Sequence, residues 1–287
     1  MAPPSSTTVT VAALLCIDSL HFVFARLLLP HLHPAASGFY IMALSTLEVV
    51  AFARGRLTPA LQWRHRGFFA VIGLLVAGST ALSLEAVRHV DPGTAALLSR
   101  SGVLFGLGLG LFWLRERLGR LPLIGSAVTV AGVVVISAQP GDYLRLGALM
   151  VIVSTFMYSL HAAIVKRAGG GLPFLDFFVG RLVATTLGLL GLALAQGVLE
   201  WPGGAAWLLL LLTATVDTVI SRALYYVALR RLDMTMHTII LTVSPLVTVA
   251  WSIALFGGRP RAAEILGGAA ILVGVLVATL TPRAARV

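Results

Sequence analysis

Long apolar runs fill this chain, separated by clusters of Pro, Gly and Arg. A helix needs about 20 apolar residues to cross the hydrocarbon core of a bilayer. Division at those clusters predicts ten spans, at 9–29, 37–53, 67–86, 92–113, 121–138, 146–165, 174–197, 206–229, 234–256 and 263–281. Turn-forming residues stand where the connections are needed: Pro30 and Pro34, Thr58-Pro59, Asp91-Pro92, Pro140-Gly141, Gly169-Gly170-Gly171 with Pro173, Trp201-Pro202-Gly203, and Gly257-Gly258 with Pro260. No connection is long enough to hold a soluble domain.

The pattern repeats. Residues 81–140 shifted by 142 onto 223–282 give thirteen identities without a gap, where biased composition alone would give about six. Among them are Ala81-Leu82 with Ala223-Leu224, Arg88 and Asp91 with Arg230 and Asp233, Gly125 with Gly267, Gly132 with Gly274, and Pro140 with Pro282. With a shift of 140, Ser19-Leu20-His21 falls on Ser159-Leu160-His161 and Arg26 on Lys166. The expected organisation is two five-helix halves, 1–140 and 141–287, in one integrated membrane domain. Because five is odd, the second half enters the bilayer from the opposite side, the inverted repeat of secondary transporters.

Composition changes the picture by exclusion. Of the 287 residues, 58% are hydrophobic, 29 more are glycine and 11% are charged, where soluble domains carry about 25% charged residues. Soluble enzymes are excluded on that ground. The net charge of +10 is not a nucleic-acid footprint, because the basic residues fall between apolar runs. Connections on one side hold Arg54, Arg56, Arg64, Arg66, Arg115, Arg117, Arg120, Lys166, Arg167, Arg230, Arg231, Arg283 and Arg286; those on the other hold Arg26, Arg88, Arg145, Arg259 and Arg261. Positive charge is retained inside, which predicts cytoplasmic termini in a multi-pass protein of the cell inner (plasma) membrane. Met1 to Thr8 lacks a basic region and reads as a tail, not a cleaved signal. The single cysteine, Cys16, excludes intrachain disulfides and cysteine-rich metal sites.

The residues then resemble a family, the drug/metabolite transporters of the EamA type. The resemblance rests on Gly93-Thr94-Ala95-Ala96-Leu97-Leu98, Glu116-Arg117-Leu118, Gly125 with Gly132-Val133, and Phe178 with Arg181 near the start of span seven. Two features depart from the family: Ile41 stands where that arginine would repeat in the first half, and span one lacks the usual tryptophan-glycine pair. The resemblance implies a ten-helix carrier that moves small metabolites outward, often amino acids, and is similar to bacterial aromatic and neutral amino acid exporters.

Ionisable residues at midspan cost about 2.5–3.5 kcal/mol each by insertion scales and must be paired or face water. Asp18, Arg100, Arg181, Asp217 and Arg222 lie there, with Glu48 nearer an end. Arg100 and Arg222 are candidates to receive a substrate carboxylate, against the alternative of salt bridges that fix packing. Arg181, high in its helix, reads as structural. Ser79, Ser83, Ser101, Tyr158, His161, Ser221, Tyr225 and Ser244 complete the candidate substrate-binding set. Ser79 maps onto Ser221 and Ser83 onto Tyr225 by the 142-residue shift. Pro245 removes an amide donor and frees the Leu241 carbonyl. Asp18 and His21, spaced i and i+3, are candidates for proton coupling. Gly102, Gly106 and Gly110 have the spacing that lets helices approach closely.

No metalloprotease, nucleophile-elbow or phosphate-loop motif is present, so no enzymatic activity, cofactor or metal is expected. The expected function is export of small metabolites, amino acids first, by alternating access at a midplane site between inverted repeats. The alternatives are an exporter or flippase of other metabolites, cationic drugs or lipid-linked compounds. Expected partners are the small-molecule substrate and the bilayer, not nucleic acid, with the monomer as working unit.

Overall fold

The structure is a computed structural model that describes residues 13–53, 55–113, 120–137, 142–168, 171–221, 224 and 234–279. The described residues are mostly helical and contain no strand. Pro34–Ala53, Arg66–Ala86, Pro92–Phe112, Leu146–Ala168 and Phe174–Ala195 are each long and apolar enough to cross a membrane, and Arg120–Ile136, Gly204–Ile220, Val243–Phe256 and Ala262–Ala278 are shorter apolar helices. Together with residues 13–28 of span one, they form an all-α membrane protein built from two inverted five-helix repeats. Its outer surface suits lipid and not water: Phe52, Phe112, Leu187 and Leu266 are all more than half exposed, and only 28% of the Leu146–Ala168 window is buried by protein. A short helix that the hydropathy pattern did not predict, Pro59–Arg64, follows span two, with Pro59 in the first turn where a missing amide donor costs nothing.

The repeat symmetry can be seen in individual contacts. Spans five and ten pack through glycines: a methyl group on Gly132 would stand 2.5 Å from the Gly267 carbonyl oxygen, and one on Gly274 would stand 2.6 Å from that of Gly125. The 142-residue shift carries Gly125 onto Gly267 and Gly132 onto Gly274, so the two contacts exchange under the repeat. A two-fold axis therefore passes between these helices. Its other end lies between spans two and seven, where the hydroxyls of Thr46 and Thr186 stand 3.1 Å apart. These two residues are equivalent under the 140-residue shift and meet on the axis. Each such hydroxyl bond stabilises by only about 0.6 kcal/mol in a membrane, so the glycine seam does more to hold the halves together than the threonine pair.

The stripe Gly102, Gly106 and Gly110 does not supply the close approach expected of it. A methyl group on Gly106 would meet nothing within 4 Å, and one on Gly102 would make ordinary contact with Thr155 at 3.5 Å. Close packing needs a partner backbone that is also bare. Gly267 and Gly274 provide one, while Thr155 and Ser159 of span six do not.

Two spans are broken near their midpoints. Span one is helical over 13–18, turns at Ser19 and Leu20, and resumes at His21–Leu28. Span four stops at Ser99 and restarts at Gly102. At both breaks the backbone tightens to three-residue hydrogen bonds, Leu20 N–H to Ile17 O at 3.1 Å and Arg100 N–H to Leu97 O at 3.1 Å. Each shortening leaves one carbonyl without its helical donor, and a serine fills the gap. Ser19 Oγ donates to Cys16 O at 2.8 Å and Ser99 Oγ donates to Ala96 O at 2.7 Å. In hydrocarbon an unsatisfied carbonyl costs several kcal/mol, so broken helices persist only where such groups are supplied or water reaches them. Span nine runs unbroken from Met234 to Phe256 through Pro245. Span eight changes from α-helix at Gly204–Leu212 to π-helix at Thr213–Ile220, a widening often found at functional sites.

Candidate functional site

The breaks in spans one and four and the π segment of span eight place charged side chains together. Asp18, last residue before the first break, accepts a hydrogen bond from Ser244 Oγ of span nine at 2.7 Å and faces Arg100 Nη2 at 3.4 Å. Arg100 sits at the second break, and its Nε is buried without a partner. Three residues beyond Asp18, His21 Nδ1 meets Asp217 Oδ2 at 2.8 Å, with Asp217 in the π segment. Thr248, one turn beyond Ser244, donates to the Ser19 carbonyl at 2.9 Å. Spans one, four, eight and nine thus meet around the first break.

These groups are not sealed in a core. The side chains of Asp18 and Arg100 are 27% and 24% exposed, and that of His21 is 41% exposed beside Asp217 at 12%. Charged groups half-open to their surroundings at the depth of a helix midpoint must border water, because facing lipid would carry the full insertion cost. The pairs also explain the order of the charges. Across each interhelical gap a basic side chain faces a carboxylate.

The spacing of Asp18 and His21 suggests one face of one helix, but the break between them separates their partners. Asp18 turns to spans four and nine, and His21 turns to span eight. Each of the two thus has an interhelical partner of its own. The pairing of His21 with Asp217 escaped the sequence because helix rotation is invisible there. A half-exposed midspan histidine did, however, signal the need for an acceptor, and Asp217 was one of two central carboxylates.

The remaining candidates divide. Ser79 is buried between spans three and six, donating to the Ser154 carbonyl at 2.9 Å while Ser154 Oγ donates to the Ser79 carbonyl at 2.8 Å. This reciprocal clasp joins two helices. Ser83, one turn along, is half-buried. Ser101 is buried beside the second break, and its hydroxyl has no partner among the described residues. The rings of Tyr158 and His161 of span six lie 5.3 Å apart, tilted by 46°, with Tyr158 exposed and His161 buried. Ser159 between them donates to the Gly102 carbonyl at 3.1 Å, which mirrors span one on span nine. Ser221 is buried at the end of the π segment. Ser244 is 1% exposed and donates its hydroxyl to Asp18. Arg222 and Tyr225 lie outside the described residues. On span two, Glu48 accepts from Thr215 Oγ1 of span eight at 2.8 Å, a pairing the sequence did not suggest. Among the described residues no group of His, Cys, Asp and Glu could hold a metal ion.

A separate cleft of 550 Å³ opens at one end of the bundle between spans two, three, six and seven, lined by His33, Glu85 and Gln196 with Leu82, Met157 and Leu192. None of the charged pairs at the breaks lines it. Its walls are mostly apolar, and it carries less chemistry than the smaller polar centre.

The model of the EamA-like transporter family matches residues 8–138 and again 145–280, one match in each half. A comparison with curated protein sequences returns no match. Among solved structures, one crystal structure of a protein superposes with a TM-score of 0.66, at 20% identity over 97% of this chain and 98% of that one. At that identity the likeness shows the fold alone.

Proposed function

Because the chain belongs to the EamA-like transporter family, it is a membrane transporter of the drug/metabolite superfamily, and we propose that it exports small metabolites, amino acids first, by alternating access. The observation that carries this reading is the meeting of two broken helices with the pairs Asp18–Arg100 and His21–Asp217. Discontinuous helices bring backbone ends and charges to the midplane, where carriers bind substrate. A zwitterion offers one group of each sign to such a centre. Rocking of the halves 1–140 and 141–287 about the axis through Thr46 and Thr186 then exposes the centre to either side. His21 is the proton-coupling residue in this account, since imidazole changes charge near neutral pH and Asp217 holds it in place.

Melting of the purified protein across a panel of amino acids, nucleosides and cationic drugs tests the substrate class. Amino acids are expected to raise the midpoint, by roughly 5 °C at a hundredfold excess over the dissociation constant. Stabilisation by nucleosides or cationic drugs alone would point to the other classes.

The orientation follows from the arginine ledger: both termini lie in the cytoplasm of a cell whose inner membrane the chain spans, as a monomer. In a Cys16→Ser background, a cysteine at Thr58 is expected to react with impermeant reagent only from the cytoplasmic side, and one at Gly204 only from outside. Labelling of the Thr58 position from outside would reverse the orientation.

A further inference from the structure

Among the described midspan cations, Arg181 is the one without an acid partner. It lies seven residues into the helix Phe174–Ala195, about 10 Å from its start at 1.5 Å per residue. The helix turns one side to lipid, where Val183, Leu187 and Leu194 are exposed. Thr185 is 1% exposed and on the opposite side, and Arg181, four residues earlier, shares its face. Arg181 is half-buried, and its Nε is enclosed by protein. Its surroundings do not neutralise it. Arg181 Nε is buried with no hydrogen-bond partner, and no ion pair reaches the guanidinium among the described residues. The guanidinium carbon stands 5.8 Å from the centre of the Phe178 ring, at the limit of a cation–π interaction. Phe178 in turn stacks on Phe174 at 5.7 Å, so an aromatic wall stands beside the charge. The hydroxyl of Thr185 is likewise buried without a partner.

Two donors, one turn apart on the same interior face, are thus left unsatisfied where satisfaction is the rule. Buried polar atoms are paired in more than about nine cases in ten. Arg100 differs, since Asp18 is within reach of it.

We propose that Arg181 and Thr185 form the anion-recognition site of this transporter, taking the carboxylate of a substrate whose apolar side group lies against Phe178. The site rests on the reading of the protein as an exporter of amino acids and moves carboxylate recognition from Arg100, which Asp18 occupies, to span seven. The planar guanidinium matches a carboxylate with two parallel hydrogen bonds, and the threonine hydroxyl adds a third donor. The position missed its signal in sequence because depth along the helix was read without its direction.

The test uses the full chain in phosphatidylcholine liposomes, with benzoate and its neutral isostere benzamide as probes. Benzoate is expected to raise the melting point of the wild type by roughly 5 °C, and benzamide to leave it unchanged. Arg181→Gln should lose the benzoate shift while melting at or near the wild type without ligand, since it removes a charge that has no acid partner among the described residues. In counterflow, the preference for phenylalanine over phenylalaninamide should fall roughly 100-fold in Arg181→Gln and roughly 10-fold in Thr185→Val, with Arg181→Lys intermediate. Equal benzoate shifts in wild type and Arg181→Gln would overturn the site. So would an Arg181→Gln variant that melts lower and loses acid and amide alike, which is the behaviour of a packing residue. If phosphatidylglycerol, and not benzoate, stabilises the wild type in an Arg181-dependent way, the occupant is a lipid headgroup and the proposal fails. A wild type that moves no amino acid yet keeps the Arg181-dependent benzoate shift would remove the amino acid reading and leave the anion site standing.

Discussion

Gly132→Leu is expected to yield no folded transporter, whereas Gly106→Ala melts and transports like the wild type. Both glycines lie on apolar spans and look alike in sequence. At Gly132 the added Cβ alone would stand 2.5 Å from a carbonyl oxygen and 2.8 Å from the Ile271 amide nitrogen, both backbone atoms that cannot swing aside. The other three Leu carbons have no space. Overpacking ordinarily costs about 1–3 kcal/mol; here two backbones must separate along the seam that joins the repeats, and a loss of about 5 kcal/mol is expected. Gly106 has open space around the position of its Cβ. Size-exclusion profiles and melting of the detergent-purified variants check both halves of the statement. A Gly132→Leu protein that elutes and melts normally would mean that spans five and ten are not packed through these glycines.

Asp18→Asn is expected to abolish transport, by at least about 1000-fold, while the protein still folds. The amide keeps an oxygen for the Ser244 hydroxyl, but it removes the charge that faces Arg100. Breaking a fully buried pair by removing one member costs about 3–5 kcal/mol. These side chains are about a quarter exposed, so a loss nearer ~2 kcal/mol is expected, or roughly 5 °C in melting. The double variant Asp18→Asn with Arg100→Gln should recover the melting point, since no unpaired charge remains, and should stay inactive, since the midplane has lost both groups. A double variant that melts no higher than the single one would show that Asp18 acts through other partners.

What could be read from the sequence follows from what each signal measures. Apolar length gave the spans to within a few residues, as in Arg66–Ala86 and Ala262–Thr279, because the hydrocarbon thickness is a length. The glycines at 125, 132, 267 and 274 were visible as a repeat, yet their mutual contact was not, because identity under a shift does not say that equivalent helices touch. Thr46 and Thr186 show the same limit: the 140-residue shift relates them, and only the fold puts both on the axis. The breaks at Ser19–Leu20 and Arg100–Ser101 lie inside apolar runs without Pro at the break, so no hydropathy window marks them. The serines that patch them, Ser19 and Ser99, looked like ordinary back-bonding residues. The pairing of His21 with Asp217 depends on the rotation of two helices, a quantity with no local signature. The surroundings of Arg181 have no local signature either, since they are set by which neighbours span seven turns toward.

The central claim, a carrier that alternates access at the charged midplane, is tested most directly by counterflow. Liposomes holding the purified chain are loaded with unlabelled amino acid and diluted into a trace of the labelled form. An alternating carrier accumulates label above equilibrium and then releases it, with a saturable initial rate, and Asp217→Asn, which removes the acid that holds His21, should lose the overshoot. Label that enters to equilibrium without overshoot, at a rate that rises linearly with concentration and is unchanged by Asp217→Asn, would contradict the account and indicate an open pore.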